Sequence, residues 1–141
     1  MRHFQRLAAV ALFAACILAT ARAKVPDDSV TFTPTGAGNY FPVSYTASGI
    51  PYVAIAGQFT TQDPGFVGAW AIVWVVDTTT NLSVGFRMDI LVDHTGAFSG
   101  NVYMPGVTFP IAARIDLEVW DDNYVNMLAS ASNGPAAMTG N

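Results

Sequence analysis

Cysteine is all but missing from this chain. The only one, Cys16, lies in an apolar run near the start. A folded part that begins after that run has no disulfide, no thiolate metal cluster and no cysteine nucleophile, so its stability must come from core packing. Basic residues are also scarce, with six lysines and arginines against ten acids. Three of the six, Arg2, Arg6 and Arg22, precede Lys24, which leaves three for the remainder. A nucleic-acid partner needs clustered cations to neutralise phosphates, and docking on an anionic membrane needs the same. Both are excluded as expectations. Beyond residue 24 His94 is the only histidine, so any acid–base chemistry through imidazole would have to centre on it.

Long hydrophobic runs are likewise limited. The longest, LAAVALFAACILA from Leu7 to Ala19, falls short of the about 20 residues a spanning helix needs. Arg2 and Arg6 precede it, and Thr20-Ala21-Arg22-Ala23 follows with small residues at the positions a signal peptidase inspects. A basic start, a short apolar stretch and an Ala-x-Ala end read as a secretory signal over residues 1–23. The expected address is therefore secreted or periplasmic, with no membrane span after cleavage. Phe13-Ala14-Ala15-Cys16 also resembles a lipoprotein box, which would anchor the chain through Cys16. Against that, Ile17 and Leu18 prolong the apolar run where a polar tether is expected. Cleavage after Ala23 leaves 118 of the 141 residues, enough for one domain.

What remains is rich in alternation of period two, the mark of strands with one buried and one wet face. Val84, Phe86, Met88, Ile90 and Val92 share one face of a segment. Ile111, Ala113, Ile115, Leu117 and Val119 share one face of another. Shorter strands are expected at 29–33, at 41–45, where Pro42 points to a sheet edge, at 52–60 and at 98–104. The stretch from Phe66 to Val76, FVGAWAIVWVV, is apolar on both faces and reads as a central strand. Asp63-Pro64-Gly65 marks a loop, and Asp93-His94-Thr95-Gly96 is a tight hairpin signal. A last strand is expected from Tyr124 to about Ala129. The segment 130–141, SASNGPAAMTGN, reads as a disordered tail. Seven or eight short strands with turns near every ten residues predict an all-β, antiparallel β-sandwich over residues 24–129. Arg87 and Asp89 are expected to pair across its wet face with Arg114, Asp116 and Glu118.

Asp93-x-x-Gly96-Ala97-Phe98-Ser99, then Pro105-Gly106, then the strand closing on Trp120-Asp121-Asp122-Asn123 resemble the second half of bacterial immunoglobulin-like (Big-type) domains. Ile55-Ala56-Gly57 is similar to the strand that opens them. The resemblance covers roughly residues 50 to 130. It implies an immunoglobulin-like sandwich used as a spacer or binding module in surface adhesins and extracellular enzymes. The apolar character of 60–76 departs from that pattern and favours an interaction face.

Chemistry finds little support. No nucleophile-elbow motif accompanies His94, so no enzyme is expected. A copper site of His94 with Met88 or Met104 competes with packing of both methionines on the core face. Asp121 and Asp122, with Asp93, are weak calcium candidates, too few for the six to eight oxygens Ca²⁺ takes. Capping of their own turns explains them as well. No cofactor is expected. The residues that remain for binding are Trp120 and Tyr103 on outer faces and Tyr124 at the start of the last strand, since exposed aromatics anchor interfaces or stack on sugars. Tyr40, Tyr45 and Tyr52 lie earlier in the chain, and Trp70 and Trp74 read as core. The expected function is a non-catalytic immunoglobulin-like domain making protein contacts in a surface or structural assembly. One alternative is a carbohydrate-binding domain using Trp120 with Tyr103 or Tyr124. Another is a filament subunit donating the strand Lys24–Gly36 to a neighbour's open edge.

Overall fold

The computed structural model describes residues 28–140. The expected signal segment 1–23, with Cys16, and residues 24–27 lie outside the described residues. Eight strands follow in chain order: β1 (Ser29–Thr33), β2 (Tyr40–Tyr45), β3 (Pro51–Thr60), β4 (Ala69–Asp77), β5 (Leu82–Val92), β6 (Ala97–Tyr103), β7 (Ile111–Trp120) and β8 (Met127–Gly140). One short 3-10 turn, Ala37–Asn39, precedes β2, and the described chain is all-β.

The ladders form two groups. In the first, β3 pairs with β1 on one edge, from Ser29 opposite Thr60 to Thr33 opposite Ala56. On its other edge it pairs with β6, from Tyr52 opposite Tyr103 to Gln58 opposite Ala97. The second group runs β2-β8-β7-β4-β5. β2 belongs to both groups. Its first part lies parallel to β8, Tyr40 opposite Ala137, and its last two residues pair antiparallel with the start of β3. The core draws on both groups. Val53, Ile55, Phe59, Phe98 and Val102 come from the first, and Ala71, Val73, Val75, Ile115, Leu117 and Val119 from the second. They form one buried cluster with Phe41 and Met138. Burying a side chain of this size contributes about 1.5–3 kcal/mol, which lets the domain stand without cross-links.

Several expectations need correction. Asn141 lies outside the described residues, and residues 130–140, expected in a disordered tail over 130–141, belong instead to β8, between β2 and β7. Its small residues are there to fit. A side chain at Gly134 would meet the Phe41 ring at 3.1 Å, and Ala136 and Met138 are buried. Gly134 and Pro135 sit where the β7–β8 register shifts, between Ala113 and Ile115, a place where proline interrupts no regular ladder. Phe86 is not on the inner face but 60% exposed. Val73 pairs with Met88 and Val75 with Val84, so β5 carries extra residues at Gly85–Arg87. Gly85, at φ +73°, turns the chain there, and the bulge loops Phe86 out while Val84 and Met88 on either side still pack against the core.

The strand expected from Phe66 starts at Ala69, and Phe66 instead packs its ring on Phe59 with centroids 5.2 Å apart. Asp93–Gly96 does close a tight turn, with Gly96 N–H donating to the Asp93 carbonyl. Beyond it, however, β5 pairs with β4 and β6 with β3, so the two strands enter different groups. Because β4 lies between β5 and β7, the expected ion pairs between those strands do not form. Each arginine instead pairs within its own strand, Arg87 with Asp89 and Arg114 with Asp116.

Candidate functional site

On β4 the inner face is Ala69, Ala71, Val73 and Val75, so Trp70 and Trp74 point outward, half-buried. Register then builds a row across four strands. Leu91 of β5 stands opposite Trp70, Trp70 opposite Trp120 of β7, and Trp120 opposite Met127 of β8. Directly paired residues point to the same side, so these four side chains span about 14 Å of the outer face. The next row holds Asp89, Ile72, Glu118 and Ser130, and the one after it Trp74, Asp116 and Ser132.

The β7–β8 turn folds back over this row. Asp121, only 8% exposed, accepts the Val125 N–H at 2.8 Å through Oδ1 and the Asn126 Nδ2 at 2.6 Å through Oδ2. Burial pushes the Asp121 carboxyl up, but these bonds outweigh it and hold it below the usual carboxylate range. The clamp sets Tyr124 at φ +57° and lays its ring on Trp70, nearly parallel at 15° with centroids 5.8 Å apart. The Tyr124 hydroxyl donates to Asp89 Oδ2 at 3.2 Å, and burial together with that carboxylate raises its pKa. The Trp120 indole N–H donates to Glu118 Oε2 at 2.8 Å. Arg87 forks onto Asp89 through Nε and Nη2 at 3.0 and 3.2 Å.

Around the stacked rings the aliphatic side chains stay open. Leu91 is 61%, Val125 70% and Met127 44% exposed, with Tyr124 at 41%. Beside the row is a cleft of about 410 Å³, walled by the β3–β4 loop (Phe66, Val67, Gly68) and the β7–β8 turn (Asp122, Val125, Met127), with Asp28, Trp120 and Asp121 also lining it.

Of the three expected binding residues, the structure places Trp120 opposite Trp70 and stacks Tyr124 on Trp70, and places Tyr103 elsewhere. Tyr103 belongs to β6 and packs on Tyr52 in the first ladder group, ring centroids 5.7 Å apart. Trp70 is the residue that sequence reasoning misplaced. The signal lay in its spacing from the small inward residues Ala69 and Ala71. The calcium candidates are also separated by their bonding. Asp93 Oδ1 accepts Thr95 N–H, Thr95 Oγ1 and Ala97 N–H, which lowers its pKa and closes the β5–β6 turn. Asp121 is spent on its own turn, and Asp122 Oδ1 accepts Asn123 Nδ2. Among the described residues no three His, Cys, Asp or Glu side chains gather as metal ligands. His94 is exposed in its turn, Met104 is fully buried and Met88 packs against the core cluster.

No protein-family model, curated protein or solved structure matches the chain.

Proposed function

We propose that this chain is an extracytoplasmic immunoglobulin-like β-sandwich domain that works without catalysis, by protein contact through the Trp70–Trp120–Tyr124 face. The fold part of the reading is supported by strand allocation. On this reading β1, β3 and β6 would make one immunoglobulin sheet, and β4, β7 and β8, with β5 at the edge, the other. The parallel pairing of β2 on β8 and the single core between the groups agree with it. The address rests on the sequence of residues 1–23.

The observation that carries the function is the open apolar crown of Leu91, Tyr124, Val125 and Met127 around two indoles. Solitary exposed hydrophobics are ordinary, but a contiguous set at one end of a sheet marks a contact surface. Aromatic anchors ringed by smaller contacts are the composition of a protein interface core. A sugar platform needs a bare, flat ring with free polar groups around it. Here one face of Trp70 is covered by Tyr124, and the Trp120 N–H is committed to Glu118.

The test is a photo-cross-linking side chain at Val125, with a second at Asn101 in β6, in cells of the source organism that export the full chain. The expected result is an adduct with another polypeptide from Val125 and none from Asn101. Equal adducts, or none from Val125 together with retention on insoluble polysaccharide, would overturn the reading and favour the carbohydrate alternative.

A further inference from the structure

Resting on that protein-contact reading, we infer that the cleft beside the apolar row receives a basic, apolar-flanked peptide segment of the partner, a lysine or arginine entering the cleft while its neighbours lie along the row. The first ground is shape. At about 410 Å³ the cleft is at the small end of ligand sites, about 300–1,000 Å³. It shares Trp120 and Met127 with the row and Val125 with the turn that folds over it, so the two are one surface. A small molecule confined to the cleft would leave Leu91 and Tyr124 bare. An extended segment of about four or five residues, at about 3.3 Å each, covers both.

The second ground is charge. Asp28, Asp121 and Asp122 line the cleft together with the apolar walls, and among the described residues no lysine, arginine or histidine does. The two arginines described are engaged elsewhere, Arg87 on Asp89 at 3.0 Å and Arg114 on Asp116 at 2.8 Å. Glu118 adds negative charge in the row just below the apolar one, where Asp89 is balanced by Arg87. A cleft of one sign with low-dielectric walls focuses its field and attracts the opposite charge. That field repels nucleic acid and anionic lipid surfaces, and it penalises an acidic peptide, so the complementary partner is cationic at one end and apolar along its length.

The roles divide among the residues. Asp121, tied into its turn, contributes charge but no free lone pair in the direction of its two donors. Asp122 is exposed at the rim and is the residue an incoming ammonium or guanidinium meets. Met127 is an adaptable apolar surface that moulds to different side chains.

Fluorescence anisotropy with short labelled peptides tests this, using protein purified from cells expressing the full chain with its own leader. The probe is two lysines followed by alternating leucine and serine. One control replaces the lysines by glutamate and another replaces the leucines by serine. The lysine–leucine peptide is expected to bind at least about tenfold more tightly than either control, an advantage that shrinks at about 0.5 M salt. Asp122→Lys is expected to weaken that peptide about tenfold and to leave the glutamate peptide no weaker. Because Asp122 is exposed, the fold tolerates the exchange. Equal binding of lysine and glutamate peptides, no binding of any peptide, or no effect of Asp122→Lys would overturn the inference. The protein-contact reading fails separately, through the cross-link at Val125. A polypeptide adduct there combined with failure of the lysine peptide would leave the surface standing and refute only the chemistry assigned to its partner.

Discussion

Replacing Asp121 by alanine removes the clamp that holds the β7–β8 turn over Trp70. Two side-chain bonds disappear, the 2.8 Å bond from Val125 N–H and the 2.6 Å bond from Asn126 Nδ2. A hydrogen bond to a charged group contributes about 1.5–3 kcal/mol. Val125 and Asn126 are exposed and their donors regain water when released, so the low end applies to each. The expected loss for Asp121→Ala is about 2–3 kcal/mol, and for Asp121→Asn, which keeps an acceptor for Val125, about half of that. Urea unfolding followed by tryptophan fluorescence measures both. The pH dependence adds a second check with a definite sign. The folded-state pKa of Asp121 is depressed, so its stabilisation is present in full above the ordinary carboxylate range and is lost as pH falls through the lower folded value. The gap between wild type and Asp121→Ala should therefore narrow below about pH 4. An Asp121→Ala protein within about 0.5 kcal/mol of wild type at neutral pH would refute the clamp.

Two further predictions concern the frame that carries the site. Gly96→Ala places a Cβ against the Phe59 carbonyl at a backbone φ of +86°. The conformational penalty alone is about 1–2 kcal/mol, so thermal unfolding should fall by more than about 5 °C, and an unchanged midpoint would contradict it. Deleting residues 130–141 removes most of β8, which pairs with both β2 and β7 and buries Ala136 and Met138. Cooperative unfolding should disappear. A truncated chain with a sharp, near-native transition would return that segment to the status of a tail.

The sequence and the structure agree where one face of a strand is polar. β7 runs from Ile111 to Trp120 as its alternation predicts, and the polar residues opposite fix which side turns inward. β4 has no polar face, so alternation offers no phase, and Trp70 and Trp74 lie outside while alanines and valines lie inside. β8 was hidden because its small residues, glycine and proline resemble those of a loop. Their reason is the Phe41 ring packed on Gly134, a contact across nearly the whole domain. Phe86 was misplaced by a bulge whose only local sign is Gly85. The candidate site was half legible for a related reason. Trp120 and Tyr124 are near in sequence and one turn brings both to Trp70, whereas only predicted exposure groups Tyr103 with them. Ladder partnership, which periodicity does not reveal, assigns β6 to β3 and carries Tyr103 to the other ladder group.

The proposed contact surface is most directly tested by oxidative footprinting of the protein in cells of its source organism against the purified protein. Trp120, Tyr124 and Met127 report the proposed face, and Tyr45, Tyr52 and Tyr103 report the first ladder group. Protection confined to Trp120, Tyr124 and Met127, with the other three oxidised equally in both samples, is the predicted result. Protection of Tyr45, Tyr52 and Tyr103 with Trp120, Tyr124 and Met127 unchanged would contradict it.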